Sequence, residues 1–316
     1  MAQRILVIGS QGFVGRALKS LLAERGAEPV GVGAPGTSAD YEVDLTVSSY
    51  DPEALAERVG AVDGVIYLAA RITRGSCVNA EARQNLRVIA DSAVRTFEAF
   101  HERYRAHFVY CSSIKVYGPS EAPLAPEAPV IRPEPFSYGS AKALAERLLA
   151  TSALRTGGRF AVVRPSFIYG PTQRADNAIP IFLSACFAGK APVVFGHGRE
   201  LRDDVFVRDV AECLAEACLR RETGIFNATG ECSRTLFEVA ELCCRAVEAV
   251  GGPAGLHPVL DPSRPGKAWI DQRFDRTRTD AVLGCRATPL FQGLVEQARW
   301  MRETLERTAS QRGGAA

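Results

Sequence analysis

Short apolar runs at 5–8, 29–32, 64–69, 107–111 and 160–164 alternate with amphipathic stretches at 13–25, 52–59, 79–102 and 139–154. Few arrangements satisfy that alternation. A strand apolar along its whole length must be covered on both faces, and a helix with one apolar stripe must lay it against something. The pattern predicts an α/β fold, a doubly wound parallel sheet with helices on both faces. Ligands of such sheets bind at the carboxyl ends of the strands.

After Arg164 the regularity weakens. Residues 165–204 are punctuated by Pro165, Gly170-Pro171, Pro180, Gly196 and Gly198, and no helix is predicted there. A helix at 207–220, a strand at 224–228 and helices at 235–249 and 289–307 complete the expectation. Composition narrows the class. With 38 basic and 36 acidic residues the net charge is only +2, so neither a nucleic acid nor an anionic membrane is expected as partner. No apolar run reaches the roughly 18 residues of a membrane span. The opening Met1-Ala-Gln-Arg4 carries no secretory signal pattern. The nine cysteines include no Cys-x-x-Cys pair and the four histidines are scattered. Reduced, packing cysteines in a cytoplasmic protein without a metal site are therefore expected.

Gly9-Ser-Gln-Gly12-Phe-Val-Gly15 follows the first strand and opens the first helix. Glycines there permit a tight turn and bring backbone close to a pyrophosphate, which the helix N-terminus attracts. The spacing is G-x-x-G-x-x-G rather than G-x-G-x-x-G, and its place after the first strand supports a dinucleotide. An acid about 20 residues further on would hold the ribose 2′-hydroxyl of NAD. The second strand instead ends Val32-Gly33-Ala34-Pro35, with neither an acid nor an arginine, so NAD and NADP both remain open. Asp44-Leu45 is placed to contact the adenine, or Asp44 caps a helix.

Tyr138 and Lys142 stand at i and i+4, on one helix face. A free phenol titrates near ~10, and a fixed cation beside it favours phenolate, which suits a proton shuttle. Ser112-Ser113 follows the 107–111 strand, where a hydroxyl could bond the substrate oxygen that exchanges its proton with Tyr138.

Together these residues resemble the extended short-chain dehydrogenase/reductases, in the NAD-dependent epimerase/dehydratase family. The resemblance runs over roughly residues 4–300. It includes the glycine turn, Asp44-Leu45, Tyr67-Leu-Ala-Ala70, Asn85, Ser112-Ser113, Tyr138/Lys142 and Val163-Arg-Pro-Ser-Phe-Ile-Tyr-Gly-Pro171. Arg202-Asp-Asp-Val-Phe-Val-Arg-Asp209, Asn227 and Arg264-Pro-Gly266 extend it. It implies a Rossmann-type sheet with a smaller, discontinuous α/β substrate-binding domain. Residues 1–165, with 205–230 returning, would form the dinucleotide-binding part. Residues 166–204 and 231–310 would bind substrate, and 311–316 would be a frayed tail.

The resemblance further implies a catalytic group of Ser113, Tyr138 and Lys142. NAD would be held by Gly9, Gln11, Gly12, Phe13, Val14 and Gly15 in the turn, by Asp44 and Leu45, and by Leu68, Ala69, Ala70, Asn85 and Ser112. Tyr138, Lys142, Pro165 and Ser166 would complete its site at the nicotinamide. Ser113, Asn177, Arg202 and Arg264 would bind a nucleotide-diphosphate sugar, arginine forks suiting phosphate oxygens. Helices at 79–102 and 139–154, the latter with Leu144, Leu148 and Leu149, resemble those through which the family forms homodimers.

One departure narrows the reaction. Dehydratases of the family carry Asp-Glu just after the catalytic hydroxyl and related decarboxylases carry Glu, whereas this chain has Ile114-Lys115. Elimination of water then lacks its acid and base. The expectation is a nucleotide-sugar 4-epimerase using NAD through a 4-keto intermediate. The alternative is an NADPH-dependent reductase of a nucleotide-linked keto-sugar, favoured by the acid-free second strand. A non-catalytic sensor or scaffold would not need Ser113, Tyr138 and Lys142 together. Lys115 has no assigned role.

Overall fold

The computed structural model describes residues 2–70, 80–117, 123–128, 137–264 and 273–313. The first half runs β1 (Arg4–Ile8), α1 (Phe13–Glu24), β2 (Glu28–Gly33), β3 (Tyr41–Glu42), α2 (Pro52–Val59) and β4 (Gly64–Tyr67). Then α3 (Ala80–Leu86) passes through one wide turn, Arg87–Asp91, into α4 (Ser92–Tyr104). It is followed by β5 (His107–Cys111), α5 (Tyr138–Thr156) and β6 (Phe160–Pro165). The second half holds β7 (Phe167–Tyr169), α6 (Ala178–Phe187), β8 (Val193–Phe195), β9 (Leu201–Arg202), β10 (Asp204–Phe206) and α7 (Val207–Leu219). After them come β11 (Gly224–Ala228), β12 (Arg234–Thr235), α8 (Leu236–Ala249), β13 (Val259–Asp261) and α9 (Leu290–Gly313).

Seven strands form one sheet in the order β11-β6-β5-β4-β1-β2-β3, every neighbouring pair parallel. β1 lies inside it, and its alternation divides the core. Ile5 and Val7 pack on one face with Leu18, Leu21 and Leu22 of α1 and Val210 and Leu214 of α7. Leu6 and Ile8 pack on the other with Leu55, Phe97, Phe100 and Leu149 of α2, α4 and α5. Both faces are dry, as a parallel sheet requires. The chain leaves β1 toward β2 and β3, then returns to β4 on the other side of β1. That reversal opens a crevice at the carboxyl ends of β1 and β4.

A third cluster joins α6, α8 and α9 through Ile179, Leu183, Val239, Val247 and Leu294. The helix α6 contradicts the expectation of irregular chain over 165–204. Its sequence, Ala-Ile-Pro-Ile-Phe-Leu-Ser-Ala-Cys-Phe, has no polar face and reads as periodless. Pro180 reads as a breaker but occupies the first turn, where its missing N–H costs nothing. α9 continues through Gly313, into the segment expected to fray, and residues 314–316 lie outside the described part. The eight described cysteines are free, all buried but Cys232. Among the described residues no helix is long and apolar enough to cross a membrane, and no cluster of three metal-ligating side chains occurs.

Candidate active site

The turn between β1 and α1 is shaped for close backbone approach. Gly9 has φ +89°, and a Cβ on it would come 3.0 Å from the Ala69 nitrogen at the end of β4. At Gly15 a Cβ would stand 2.3 Å from the Gly9 oxygen and 2.7 Å from the Ser10 carbonyl. Gly12 is the N-cap of α1 and offers no side-chain cap, so the amides of Phe13, Val14 and Gly15 open the helix without a side-chain acceptor. Such an end takes an anion. Gln11, Leu68 and Ala69 are half-buried around the same crevice, Ala70 is exposed, and Asn85 is buried on α3. These residues fit the pyrophosphate of a dinucleotide.

Asp44 is exposed, and its Oδ1 accepts from the nitrogen and hydroxyl of Thr46 at 2.8 and 2.6 Å. It caps a turn, not a helix. The α2 cap is Asp51, which accepts from the amides of Glu53 and Ala54.

Ser137 caps α5 by accepting from the Ser140 amide at 3.1 Å, which makes Tyr138 the first helical residue. Lys142, one turn later, is 1% exposed. Its ammonium donates to the Cys111 carbonyl at 2.5 Å and lies 4.6 Å from the Tyr110 ring centroid and 5.8 Å from that of Tyr138. Burial pulls the Lys142 ammonium down to about 8 and pushes the Tyr138 phenol well above its ordinary value. The expected lowering of the phenol by the lysine is thus corrected. Loss of water around the phenol raises it, and the Lys142 proton is aimed at the Cys111 carbonyl rather than at the phenol.

The two serines are not equivalent. Ser112 donates its hydroxyl to Glu146 Oε1 at 2.5 Å. Ser113 caps the short turn Ile114–Val116, its Oγ accepting from the Lys115 amide at 3.2 Å. Its hydroxyl proton has no acceptor among the described residues. Ser113 therefore keeps a donor for a ligand, whereas Ser112 has spent its own on Glu146. Pro165 ends β6 beside Ala228, and Ser166 is buried next to it.

Beneath this group lies a buried polar network. Arg164 clasps Glu146 with two bonds, Nε to Oε1 at 3.0 Å and Nη2 to Oε2 at 2.6 Å, and donates to the Pro126 carbonyl at 3.1 Å. Its guanidinium lies 4.7 Å from the Tyr117 ring centroid. Tyr117 donates to Asn227 Oδ1 at 2.6 Å, and Asn227 Nδ2 donates to the carbonyls of Leu124 and Asp275.

Residues 5–228 match the NAD dependent epimerase/dehydratase family, most of the chain. The chain belongs to that family. It is 28% identical to a dTDP-glucose 4,6-dehydratase of Streptomyces niveus, over 95% of this chain and 93% of the relative. It is 25% identical to an uncharacterized UDP-glucose epimerase of Bacillus subtilis, over 85% and 89%. Among solved structures it resembles MoeE5 in complex with UDP-glucose and NAD, with a TM-score of 0.77, 27% identity and coverage of 96% and 99%. The fold is also that of the UDP-glucose 4-epimerase of Thermotoga maritima, TM-score 0.80, 24% identity, 96% and 99% covered.

Membership in the epimerase/dehydratase family makes this chain a nicotinamide-dependent enzyme of the extended short-chain type. Its outer residues are less uniform. Asn177 is exposed at the N-cap of α6, its side chain making no cap bond. Arg264 is exposed, 5.1 Å from the centroid of the Phe195 ring. Arg202 differs from the expectation of an available phosphate ligand. Its fork is closed on Asp204, at 2.7 and 2.5 Å, and its side chain is 10% exposed. Lys115 projects outward, its ammonium 6.0 Å from the Phe167 ring centroid, and Arg202 lies 4.8 Å from the same ring. Sequence reading did not single out Glu146, although Tyr138, Lys142 and Glu146 recur every four residues along α5. A carboxylate continuing that face was the available signal.

Proposed function

We propose that this epimerase/dehydratase family member is a nucleotide-sugar 4-epimerase. The observation that carries the reading is the pair of residues after Ser113. Ile114 is buried, 3% exposed, and Lys115 is a cation whose ammonium lies 6.0 Å from the Phe167 ring centroid, so neither residue supplies a carboxylate to remove or deliver the protons of a dehydration. Tyr138 remains as the proton-transfer group, and epimerisation at one carbon needs only one. NAD, when bound, would supply the hydride acceptor for C4 and, for the opposite face of that carbon, the hydride donor, its oxidised ring adding a positive charge to the site. Tyr138 takes the 4-hydroxyl proton and gives it back, and Ser113 donates to the same oxygen, holding it in line. Lys142, anchored on Cys111, places its charge under Tyr138 and lowers the cost of phenolate once water is excluded.

Asn177 and Arg264 lie on the substrate side in this reading, with residues 166–204 and 231–310 forming the substrate-binding part. Arg202 joins them only by opening its fork from Asp204. The keto-sugar reductase rested on an acid-free second strand, and Glu42 of β3 now stands opposite Gly33. A homodimer through α4 and α5 is supported by Leu144 and Leu148, exposed 42% and 39%, whereas Leu149 is core.

The test is incubation with UDP-glucose, UDP-N-acetylglucosamine, UDP-glucuronate and dTDP-glucose, followed by proton NMR. The expected product is a C4 epimer formed without net change in NADH, with turnover reduced about 10²–10⁴-fold in Tyr138→Phe while NAD binding persists. A 4-keto-6-deoxy product, stoichiometric NADPH consumption, or full activity in Tyr138→Phe would refute the proposal.

A further inference from the structure

β2 ends at Gly33, the place from which an acid would reach the ribose 2′-hydroxyl of NAD. Gly33 has no room for one. A Cβ there would come 2.4 Å from Thr37 Oγ1, 2.9 Å from Ala39 Cβ and 3.2 Å from Gln11 Cγ. The chain after β2 has folded back over the strand end, against Gln11 of the pyrophosphate turn.

A carboxylate from the next strand holds it there. β3 pairs with β2 in parallel and sets Glu42 opposite Gly33. Glu42 Oε2 accepts from the Gly36 amide and Oε1 from the Ser38 amide, both at 2.9 Å. Gly36 and Ser38 have φ of 78° and 56°, a left-handed conformation that is unfavourable for Ser38 and that these bonds help maintain. Thr37 closes the loop by donating its hydroxyl to the Ala34 carbonyl at 2.6 Å. The backbone amides also hold the Glu42 carboxyl below the usual carboxylate range, so it is ionised at neutral pH.

We propose that Glu42 is a coenzyme-specificity residue of this chain: it fixes residues 34–38 as a closed loop beside the adenosine ribose and disfavours a 2′-phosphate, so that NAD is bound in preference to NADP. This rests on the nicotinamide-dependent reading of the site. A 2′-phosphate is bound by cations and spare donors. Here the Gly36 and Ser38 amides and the Thr37 hydroxyl are already used. The two cations of α1 are engaged as well, Lys19 with Asp40 at 2.9 Å and Arg16 with the Gln11 carbonyl at 2.6 Å and Thr172 Oγ1 at 3.2 Å. The phosphate would meet a carboxylate in their place. An unmodified ribose brings no charge to that position and meets no such opposition.

The test measures binding rather than turnover. Purified protein, stripped of resident nucleotide, is titrated calorimetrically with NAD and NADP and with the fragments 5′-ADP and 2′,5′-ADP. Wild type is expected to prefer the unphosphorylated member of each pair by at least about tenfold, equivalent to about 1.4 kcal/mol. Glu42→Gln, which removes the charge and one acceptor, is expected to narrow that ratio by gaining affinity for the phosphorylated member. Glu42→Asp is expected to retain the preference. Equal affinity of wild type within each pair would overturn the proposal with no variant needed, as would an unchanged ratio in folded Glu42→Gln. Failure of wild type to bind either NAD or NADP would instead remove the nicotinamide reading on which the proposal stands.

Discussion

Replacing Glu146 with Leu should be among the most damaging single changes outside the hydrophobic core, and the structure indicates why. Arg164 is 1% exposed and Glu146 8% exposed, so neither charge can be rehydrated without opening α5 from β6. In Glu146→Leu the guanidinium loses both bonds to its counter-ion and keeps neutral partners, the Pro126 carbonyl and the Tyr117 side chain. Leaving one member of such a pair buried costs about 3–5 kcal/mol. The Ser112 hydroxyl, deprived of its acceptor, adds about 1–3 kcal/mol. The double variant Glu146→Leu/Arg164→Met removes both charges and leaves neutral groups, the Ser112 hydroxyl and the Pro126 carbonyl among them, without these partners. It should be less destabilised than Glu146→Leu alone, with a coupling on the order of 3 kcal/mol. Urea unfolding followed by far-UV circular dichroism measures all four corners of the cycle, provided the m-values agree. A cost below about 1 kcal/mol for Glu146→Leu, or a double variant equal to the sum of the singles, would refute the ion pair as the element joining α5 to β6.

Two further outcomes are expected of the site. Gly15→Ala puts a Cβ 2.3 Å from a backbone oxygen that cannot swing aside, so the turn must open. NAD affinity should fall at least about tenfold and stability by roughly 1–3 kcal/mol, and an unchanged titration and melting curve would refute a close-packed turn at Gly15. Burial lowers Lys142 from 10.5 to about 8, so the folded chain holds that proton less tightly than the unfolded one. The resulting penalty is complete below pH 8 and is relieved as pH rises from 8 toward 10.5, a stabilising slope that Lys142→Met should lack. Thermal melts of the two proteins between about pH 7 and 10 check this, and parallel curves would contradict it.

Much of the architecture was legible in the chain because it depends on local patterning. The first five apolar runs and the amphipathic stretches between them dictate a covered parallel sheet. Glycines 9, 12 and 15 mark the turn after β1, and the four-residue spacing of Tyr138 and Lys142 requires only helix geometry. α6 was hidden because a helix apolar all round has no period to read, and Pro180 looked like its end rather than its first turn.

What depended on approach in space could not be read along the chain. Ser112 and Ser113 are adjacent and chemically identical, and only packing of α5 against β5 and β6 commits the first to Glu146, while the second has no acceptor for its hydroxyl among the described residues. Arg202 looked available for phosphate until the fold set Asp204 against its fork. The second strand looked empty of acid because the carboxylate reaches its end from nine residues further on, carried by β3. Even the Tyr138 phenol moved opposite to expectation. Proximity of a lysine is written in the spacing, whereas the loss of surrounding water that raises the phenol exists only in the folded chain.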